Sequence, residues 1–202
     1  MRAYSSLDTL SPGEFRNPIV TIGVFDGMHR GHLHLIKGLC RWAEEGGGES
    51  VVITFRQHPQ AVLGRIPPAA LTSVEHRMAL LERAGVDATV VLDFDLELAS
   101  LSAERFVKEI LHEKIGARRL LMGYNSAFGA GARGTYESLH QNPELGVEVR
   151  QQDPLNLDGR PISSTEVRSA ILNGDLECAA HSLGRPVSII GEVIRGDGRG
   201  KS

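Results

Sequence analysis

Apolar runs of five to eight residues alternate with helical segments along most of the chain. Strands are predicted at 19–25, 51–55, 87–94, 118–123 and 146–151. Between them, helices are predicted at 33–45, 73–84, 102–115 and 136–140. Regular alternation of this kind favours a parallel sheet, because each crossover must return the chain to the same end of the sheet. The pattern therefore predicts an α/β protein with a five-stranded parallel sheet and helices on both faces.

The last forty residues follow a different pattern. Ser163 and Glu166 have the spacing of a capping box, so a short helix is predicted to start there, and another begins at Asp175 and ends at Gly184. A small C-terminal helical segment is therefore expected after the sheet. Beyond it, 187–195 predicts a further strand, followed by a glycine-rich loop.

Composition restricts the class of protein. The chain has 202 residues, 41% hydrophobic and 23% charged, which is ordinary for a globular protein. With 22 basic against 25 acidic side chains it lacks the positive charge expected of a nucleic-acid binder. Its apolar runs are too short to cross a membrane, and it has no secretory signal at its start. These features predict a cytoplasmic protein that binds small molecules.

The first candidate site follows the first predicted strand, at Phe25-Asp-Gly-Met-His-Arg-Gly-His32. Gly27 and Gly31 allow the backbone to approach a ligand closely, and His29 and His32 lie on one side of a helix start. Free N–H groups at a helix N-terminus favour an anion, so this corner suits a phosphate. Surface or capping histidines are the alternative. No further metal ligands follow at recognisable spacing, and any metal site stays unknown.

Two other segments carry candidate chemistry. Ser163, Ser164, Thr165 and Arg168 offer hydroxyls, N–H groups and a guanidinium for a phosphate, although helix capping alone would also explain the hydroxyls. The loop 123–129 follows the fourth predicted strand, on the same sheet edge as the histidines. There Asn125 is able to bridge two ligands. Aromatic residues nearby either stack on a ligand or belong to the core; they are Phe55, Phe106 and Phe128.

The motifs at 25–32 and 162–168 together resemble the paired signatures of the HxGH nucleotidyltransferase superfamily. Six segments in order are similar to the adenylyltransferase module of the bacterial bifunctional riboflavin kinase/FMN adenylyltransferases, or FAD synthetases. They are 21–27, 71–75, 101–106, 123–129, 162–165 and 183–186. This resemblance implies a Rossmann-like nucleotidyltransferase fold. It also implies an adenylyltransferase domain over 1–186 and an incomplete opening fragment of a riboflavin kinase domain over 187–202, without riboflavin kinase activity.

The resemblance implies transfer of AMP from ATP, with Mg2+, to FMN, giving FAD and pyrophosphate. The implied ATP-binding residues are Gly23, Phe25, Asp26, Gly27, His29, His32, Ser163, Ser164, Thr165 and Arg168. The implied FMN-binding residues are Phe55, His58, Pro59, Phe106, Asn125 and Phe128. Within these sets, catalysis is expected of His29, His32, Asn125, Ser164, Thr165 and Arg168. Oligomeric state and metal ligands stay open.

Departures from the family pattern fall on the acceptor side. Ser126 and Ala127 stand where the family usually has an aromatic and a larger residue, and Gln57 replaces the first proline of a Pro-His-Pro loop. Two alternatives therefore stay open. One is a nucleotidyltransferase with a different phosphorylated acceptor, and the other is a nucleotide-binding protein without turnover.

Overall fold

A parallel six-stranded sheet forms the centre of the protein in a computed structural model, which describes residues 1–194. The strands are β1 (Arg2–Tyr4), β2 (Ile19–Ile22), β3 (Ser50–Phe55), β4 (Ala88–Leu92), β5 (Arg119–Gly123) and β6 (Glu148–Gln152). The α/β class and the parallel sheet are confirmed. The predicted number of five strands is wrong, because the short edge strand β1 pairs with β4.

Helices connect these strands and follow them. They are α1 (Arg30–Glu45), α2 (Pro59–Val62), α3 (Val74–Arg83), α4 (Leu96–Ser100), α5 (Ala103–Arg105), α6 (Tyr136–Leu139), α7 (Ser164–Leu172) and α8 (Leu176–Leu183). A π-helical stretch, Phe106–Lys114, continues α5 directly. Short 3-10 turns lie at Leu7–Thr9, Ala130–Ala132 and Pro143–Leu145, and a small hairpin joins β7 (Asn156–Leu157) to β8 (Arg160–Pro161).

The strand order is β1-β4-β3-β2-β5-β6. From β2 the chain builds outwards through β3 and β4 on one side, and then returns to add β5 and β6 on the other. Val20 of β2 accordingly lies between Val51 of β3 and Leu120 of β5. In open α/β sheets such a reversal opens a crevice at the carboxyl ends of the two strands, where ligands bind. The loops after β2 and β5 border this crevice.

Each face of the sheet is covered by its own apolar cluster. On one face Val20, Ile53 and Leu120 pack with Val107 and Leu111 of the π-helical stretch. The opposite face, built around Ile19, Val52 and Leu121, is covered by α1 and α3. The alternation along β2 follows the two-residue period of a strand, and burying each Leu or Ile side chain stabilises the fold by about 1.5–3 kcal/mol.

Local capping determines where the helices begin. Side-chain oxygens of Ser73, Ser102 and Asp175 accept N–H groups at the starts of α3, α5 and α8. Ser163 and Glu166 form the reciprocal capping box predicted for α7. Each such contact satisfies a helix N–H that would otherwise lack a partner.

Two strand predictions need correction. The first predicted strand extends to Phe25, but β2 ends at Ile22, because the backbone of Phe25 is left-handed with φ of 51°. The strand predicted at 187–195 is absent from its described part, 187–194. Ile189 and Val193 there are 92% and 98% exposed, so no neighbouring strand in the described residues supplies the pairing that a strand requires. Residues 195–202, with the predicted glycine-rich loop, lie outside the described residues.

None of the helices within residues 1–194 combines the length and the apolar character needed to cross a bilayer.

Candidate active site

Two adjoining cavities open at the carboxyl edge of the sheet, between β2 and β5. The first, named the phosphate cleft, has a volume of about 420 Å³ and is bordered by the 25–32 corner and the start of α7. The second, named the acceptor cavity, has a volume of about 470 Å³ and extends towards β3 and the loop 127–132. Five residues line both cavities: Ile22, Gly23, Val24, Asn125 and Ser126. One ligand in each cavity would meet the other at these residues.

The predicted nucleotide-binding residues come together in the phosphate cleft. Its lining includes Gly23, Phe25, Asp26, His29, His32, Ser163, Ser164, Thr165 and Arg168. Gly27 is buried and does not line the cleft. The predicted FMN-binding residues are divided: Phe55, Pro59, Asn125 and Phe128 line the acceptor cavity, whereas His58 lines the phosphate cleft. Phe106 is only 4% exposed and borders a small pocket of about 40 Å³ beneath the acceptor cavity.

The corner between β2 and α1 has an unusual backbone. Phe25, Gly27 and Met28 all have left-handed φ angles, of 51°, 80° and 42°. For a residue with a side chain this conformation costs about 1–2 kcal/mol. A Cβ atom on Gly27 would lie 2.7 Å from Cδ1 of Leu71, so glycine is also required by the close approach of the 71–72 segment. The backbone is therefore strained in the tight corner that connects β2 to α1.

His29 and His32 lie with their rings stacked, with centroids 3.6 Å apart. His29 caps α1, and its Nδ1 accepts the backbone N–H of His32 at 3.2 Å. A neutral His29 therefore carries its proton on Nε2 and is a hydrogen-bond donor there.

Burial determines the charge of both rings. It lowers the pKa of His29 from 6.5 to about 4 although the Asp26 carboxylate opposes the shift, and the guanidinium groups of Arg168 and Arg185 lower it further. The pKa of His32 lies well below its usual value, because of burial and then of His29 and Arg77. Both imidazoles are consequently neutral at pH 7, and they offer directional N–H groups rather than positive charge.

Asp26 connects three segments of the site. Its carboxylate accepts the N–H of Leu71 at 2.9 Å and the N–H of Thr72 at 3.0 Å, and the Thr72 hydroxyl donates to it at 3.2 Å. It also forms an ion pair with Arg168 at 2.9 Å, with both side chains largely buried. With these donors around it, Asp26 is a structural anchor for the corner.

The start of α7 closes the phosphate cleft from the other side. The hydroxyl of Ser164 donates to the carbonyl of Asp26 at 2.9 Å, which joins α7 directly to the corner. Arg168 uses its Nε on the carbonyl of Ala69 and one terminal nitrogen on Asp26. Its position in the cleft lining leaves the other edge of the guanidinium for a ligand. The helix start adds N–H groups without intrahelical partners, which favour an anion.

Aromatic rings line the acceptor cavity. Phe55 and Phe94 meet edge to face at 5.4 Å, and the ring of Phe128 tilts against Phe106 at 5.4 Å. Two of the residues that depart from the family pattern, Ser126 and Gln57, form hydrogen bonds within the chain. Ser126 accepts the N–H of Gly123 at 3.0 Å, and Gln57 donates to the carbonyl of Phe94 at 3.3 Å.

Sequence reasoning missed several residues of this site. Thr72 anchors Asp26 and Gly27, Arg65 lines the acceptor cavity, and Arg77 is 5% exposed and donates to Thr54 and Phe55. Arg185 donates to the backbone of the corner. The motifs 71–75 and 183–186 contain Thr72 and Arg185, but their side-chain partners are distant in sequence. Spacing alone gives no signal for these contacts.

Comparison with known proteins decides the family. The FAD synthetase family model matches residues 11–166. The chain belongs to this family. Among curated relatives, a bifunctional riboflavin kinase/FMN adenylyltransferase of Pseudomonas fluorescens is 35% identical over 97% of the chain. The chain spans 63% of the length of that relative.

Solved structures give a consistent fold. A crystal structure described as a macrolide-efflux protein from Streptococcus pneumoniae matches with a TM-score of 0.78 and 27% identity, over 92% of this chain and 62% of that one. Pantothenate synthetase from Thermus thermophilus matches with a TM-score of 0.50 and 17% identity, over 91% and 82%. The second likeness concerns the fold alone, and it confirms the predicted Rossmann-like α/β fold.

Proposed function

We propose that this FAD synthetase family member transfers AMP from ATP to FMN and releases pyrophosphate. The main support for this proposal is that the phosphate cleft and the acceptor cavity meet at Asn125. A triphosphate in the first cavity and a flavin phosphate in the second would bring their reacting groups together there. Family membership supports the same reaction. A cytoplasmic location, where both substrates occur, fits this activity.

The chemistry needs positioning rather than a general base. The second pKa of a phosphate monoester lies near 6, so the FMN phosphate is largely dianionic at pH 7. One of its oxygens forms a bond to the α-phosphorus of ATP as the bond between that phosphorus and the bridging oxygen to the β-phosphorus breaks. The electron pair leaves with pyrophosphate. The task of the protein is to align two anions and to stabilise the charge on the leaving group.

The residues of the phosphate cleft suit that task. In this proposal His29 and His32 donate N–H groups to the phosphates of ATP. The backbone N–H of Ser164, together with Thr165 and Arg168, holds the β- and γ-phosphates, since the Ser164 hydroxyl already donates to Asp26. Asn125 lies between the two phosphorylated substrates. By analogy with oxyanion-hole donors, removing one such donor raises the barrier by about 2.7–4 kcal/mol.

Magnesium enters the reaction as part of the substrate MgATP. Within residues 1–194 no three His, Cys, Asp or Glu side chains form a group able to hold a metal ion. Mg2+ commonly relies on substrate phosphates, water and one or two carboxylates. Asp153 lines the phosphate cleft and is exposed, which fits such an arrangement.

A different phosphorylated acceptor is the second candidate, favoured by Ser126 and Ala127 in the acceptor cavity. The experiment is an end-point assay of the purified chain with MgATP and either FMN, pantetheine phosphate or nicotinate mononucleotide, separated by chromatography. FAD formation is expected. A new product with another acceptor and none with FMN would replace the first proposal, and absence of pyrophosphate with every acceptor would indicate binding without turnover. In initial-rate measurements with the same substrates, Asn125→Ala should form FAD about a hundredfold more slowly than the wild type.

A further inference from the structure

Arg185 joins the C-terminal segment to the back of the phosphate cleft. It follows α8 and Gly184, whose left-handed backbone ends that helix, and it lies beyond the residues matched by the family model. Its two terminal nitrogens donate to two successive carbonyls of the corner, to Gly27 at 2.7 Å and to Met28 at 3.0 Å. The guanidinium thus bridges neighbouring peptide groups.

The two carbonyls belong to the strained part of the corner. Gly27 and Met28 both have left-handed φ angles, and such conformations persist only where the surroundings hold them. The two preceding carbonyls have internal donors as well, since Phe25 accepts the N–H of Met28 and Asp26 accepts the Ser164 hydroxyl. Four successive carbonyls are therefore satisfied within the chain, two of them by Arg185.

Peptide planarity links these contacts to the ligand. In a trans peptide the carbonyl of one residue and the N–H of the next point in opposite directions. The bond from Arg185 to the carbonyl of Met28 therefore directs the N–H of His29, which lines the cleft, away from Arg185. A rotated peptide would instead present a carbonyl oxygen, which repels a phosphate.

An arginine suits this role for geometric reasons. Its planar fork presents parallel donors to neighbouring acceptors, whereas a lysine ammonium is a single point. Among residues 1–194, Arg185 has no salt-bridge partner, and its Nε is buried without a hydrogen-bond partner. Within the described residues, the hydrogen-bond acceptors of its guanidinium are all backbone carbonyls, those of Gly27, Met28 and Leu183.

We propose that Arg185 is a positioning residue for the nucleotide site, which keeps the carbonyls of Gly27 and Met28 turned away from the triphosphate. The proposal rests on the proposed function in that it requires a triphosphate in the phosphate cleft. The C-terminal segment thereby contributes to nucleotide affinity through the backbone of the corner.

The test compares Arg185→Lys and Arg185→Met with the wild-type chain and with Arg83→Met, which removes an exposed arginine of α3. Calorimetric titration with MgATP, and separately with FMN, gives the two dissociation constants, and thermal unfolding reports on folding. Loss of a bidentate contact should weaken MgATP binding at least about fivefold in the lysine variant and about tenfold or more in the methionine variant. The dissociation constant for FMN should stay unchanged, as should both constants of Arg83→Met.

Folded variants that bind MgATP as the wild type does would overturn the proposal, as would equal losses of MgATP and FMN affinity. If neither variant folds, Arg185 supports the whole fold rather than the corner, and the proposal is equally overturned. The proposed function fails separately. A wild-type chain that binds MgATP but forms no FAD would contradict the reaction while leaving the Arg185 comparison intact.

Discussion

Replacing Gly27 by alanine tests the close approach behind the phosphate cleft, with Gly47→Ala as the matched control. Both glycines have left-handed φ angles, of 80° and 58°. Alanine in that region costs about 1–2 kcal/mol at either position. The surroundings differ, because a Cβ on Gly47 meets no atom within 4 Å, whereas on Gly27 it lies 2.7 Å from Cδ1 and 3.2 Å from Cβ of Leu71.

The contact with Leu71 determines how much the free energy of unfolding should fall in Gly27→Ala. Leu71 cannot easily move aside, since its N–H is bonded to Asp26 at 2.9 Å. Overpacking of this kind costs about 1–3 kcal/mol. Gly27→Ala should therefore lower the free energy of unfolding by about 2–5 kcal/mol, and Gly47→Ala by about 1–2 kcal/mol.

Urea denaturation of both variants measures the free energy of unfolding, and calorimetric titration measures MgATP affinity. Gly27→Ala should also weaken MgATP binding, while Gly47→Ala should leave it unchanged. Adding Leu71→Ala to Gly27→Ala removes the atom at 2.7 Å. The stability loss caused by Gly27→Ala should then be closer to the loss caused by Gly47→Ala. Equal losses of the free energy of unfolding in Gly27→Ala and Gly47→Ala, or no change on adding Leu71→Ala, would contradict a steric contact between Leu71 and a Cβ at position 27.

Three further outcomes are expected. His32→Ala should reduce the initial rate of FAD formation about a hundredfold or more, measured by chromatography, with circular dichroism as the check on folding. Folding lowers the pKa of His29 from 6.5 to about 4, so between these pH values the unfolded chain binds more protons than the folded protein. The contribution of His29 to the free energy of unfolding is therefore complete above pH 6.5. It is lost as the pH falls towards 4, by about 3 kcal/mol at most. Urea denaturation at several pH values should show that the free energy of unfolding falls less between pH 6.5 and pH 4 in His29→Asn than in the wild type. An equal fall in both proteins would contradict the lowered pKa of His29. Ser164→Ala, which breaks the 2.9 Å bond to Asp26, should cost about 0.5–1.5 kcal/mol and raise the KM for ATP, whereas Ser169→Ala at an exposed position of α7 should do neither.

Local features of this protein could be predicted from sequence because neighbours along the chain determine them. The capping box of Ser163 and Glu166 needs only a three-residue spacing, and it is formed. The strand before the 25–32 corner and the helix after it follow from hydrophobic periodicity. Their place beside the loop after β5 follows from the general geometry of parallel sheets.

Features that depend on distant partners were missed or wrong. The three residues of β1 form a strand only because β4 lies beside them. The segment 187–194 has a strand-like sequence but no neighbouring strand within the described residues, so it does not form a strand there. The contacts of Thr72 with Asp26 and of Arg185 with the corner join residues 46 and 158 positions apart, which no spacing rule predicts.

In the proposed function, the corner at 25–32 and the start of α7 bind one triphosphate together. Hydrogen–deuterium exchange of the wild-type chain, with and without MgATP, tests it directly, with FMN alone as the comparison. MgATP should slow amide exchange in peptides covering 26–32 and 163–168, with both segments responding over the same range of ligand concentration. FMN alone should leave exchange in both segments unchanged. Slower exchange in only one of the two segments at saturating MgATP, or in neither, would contradict binding of one triphosphate by both segments.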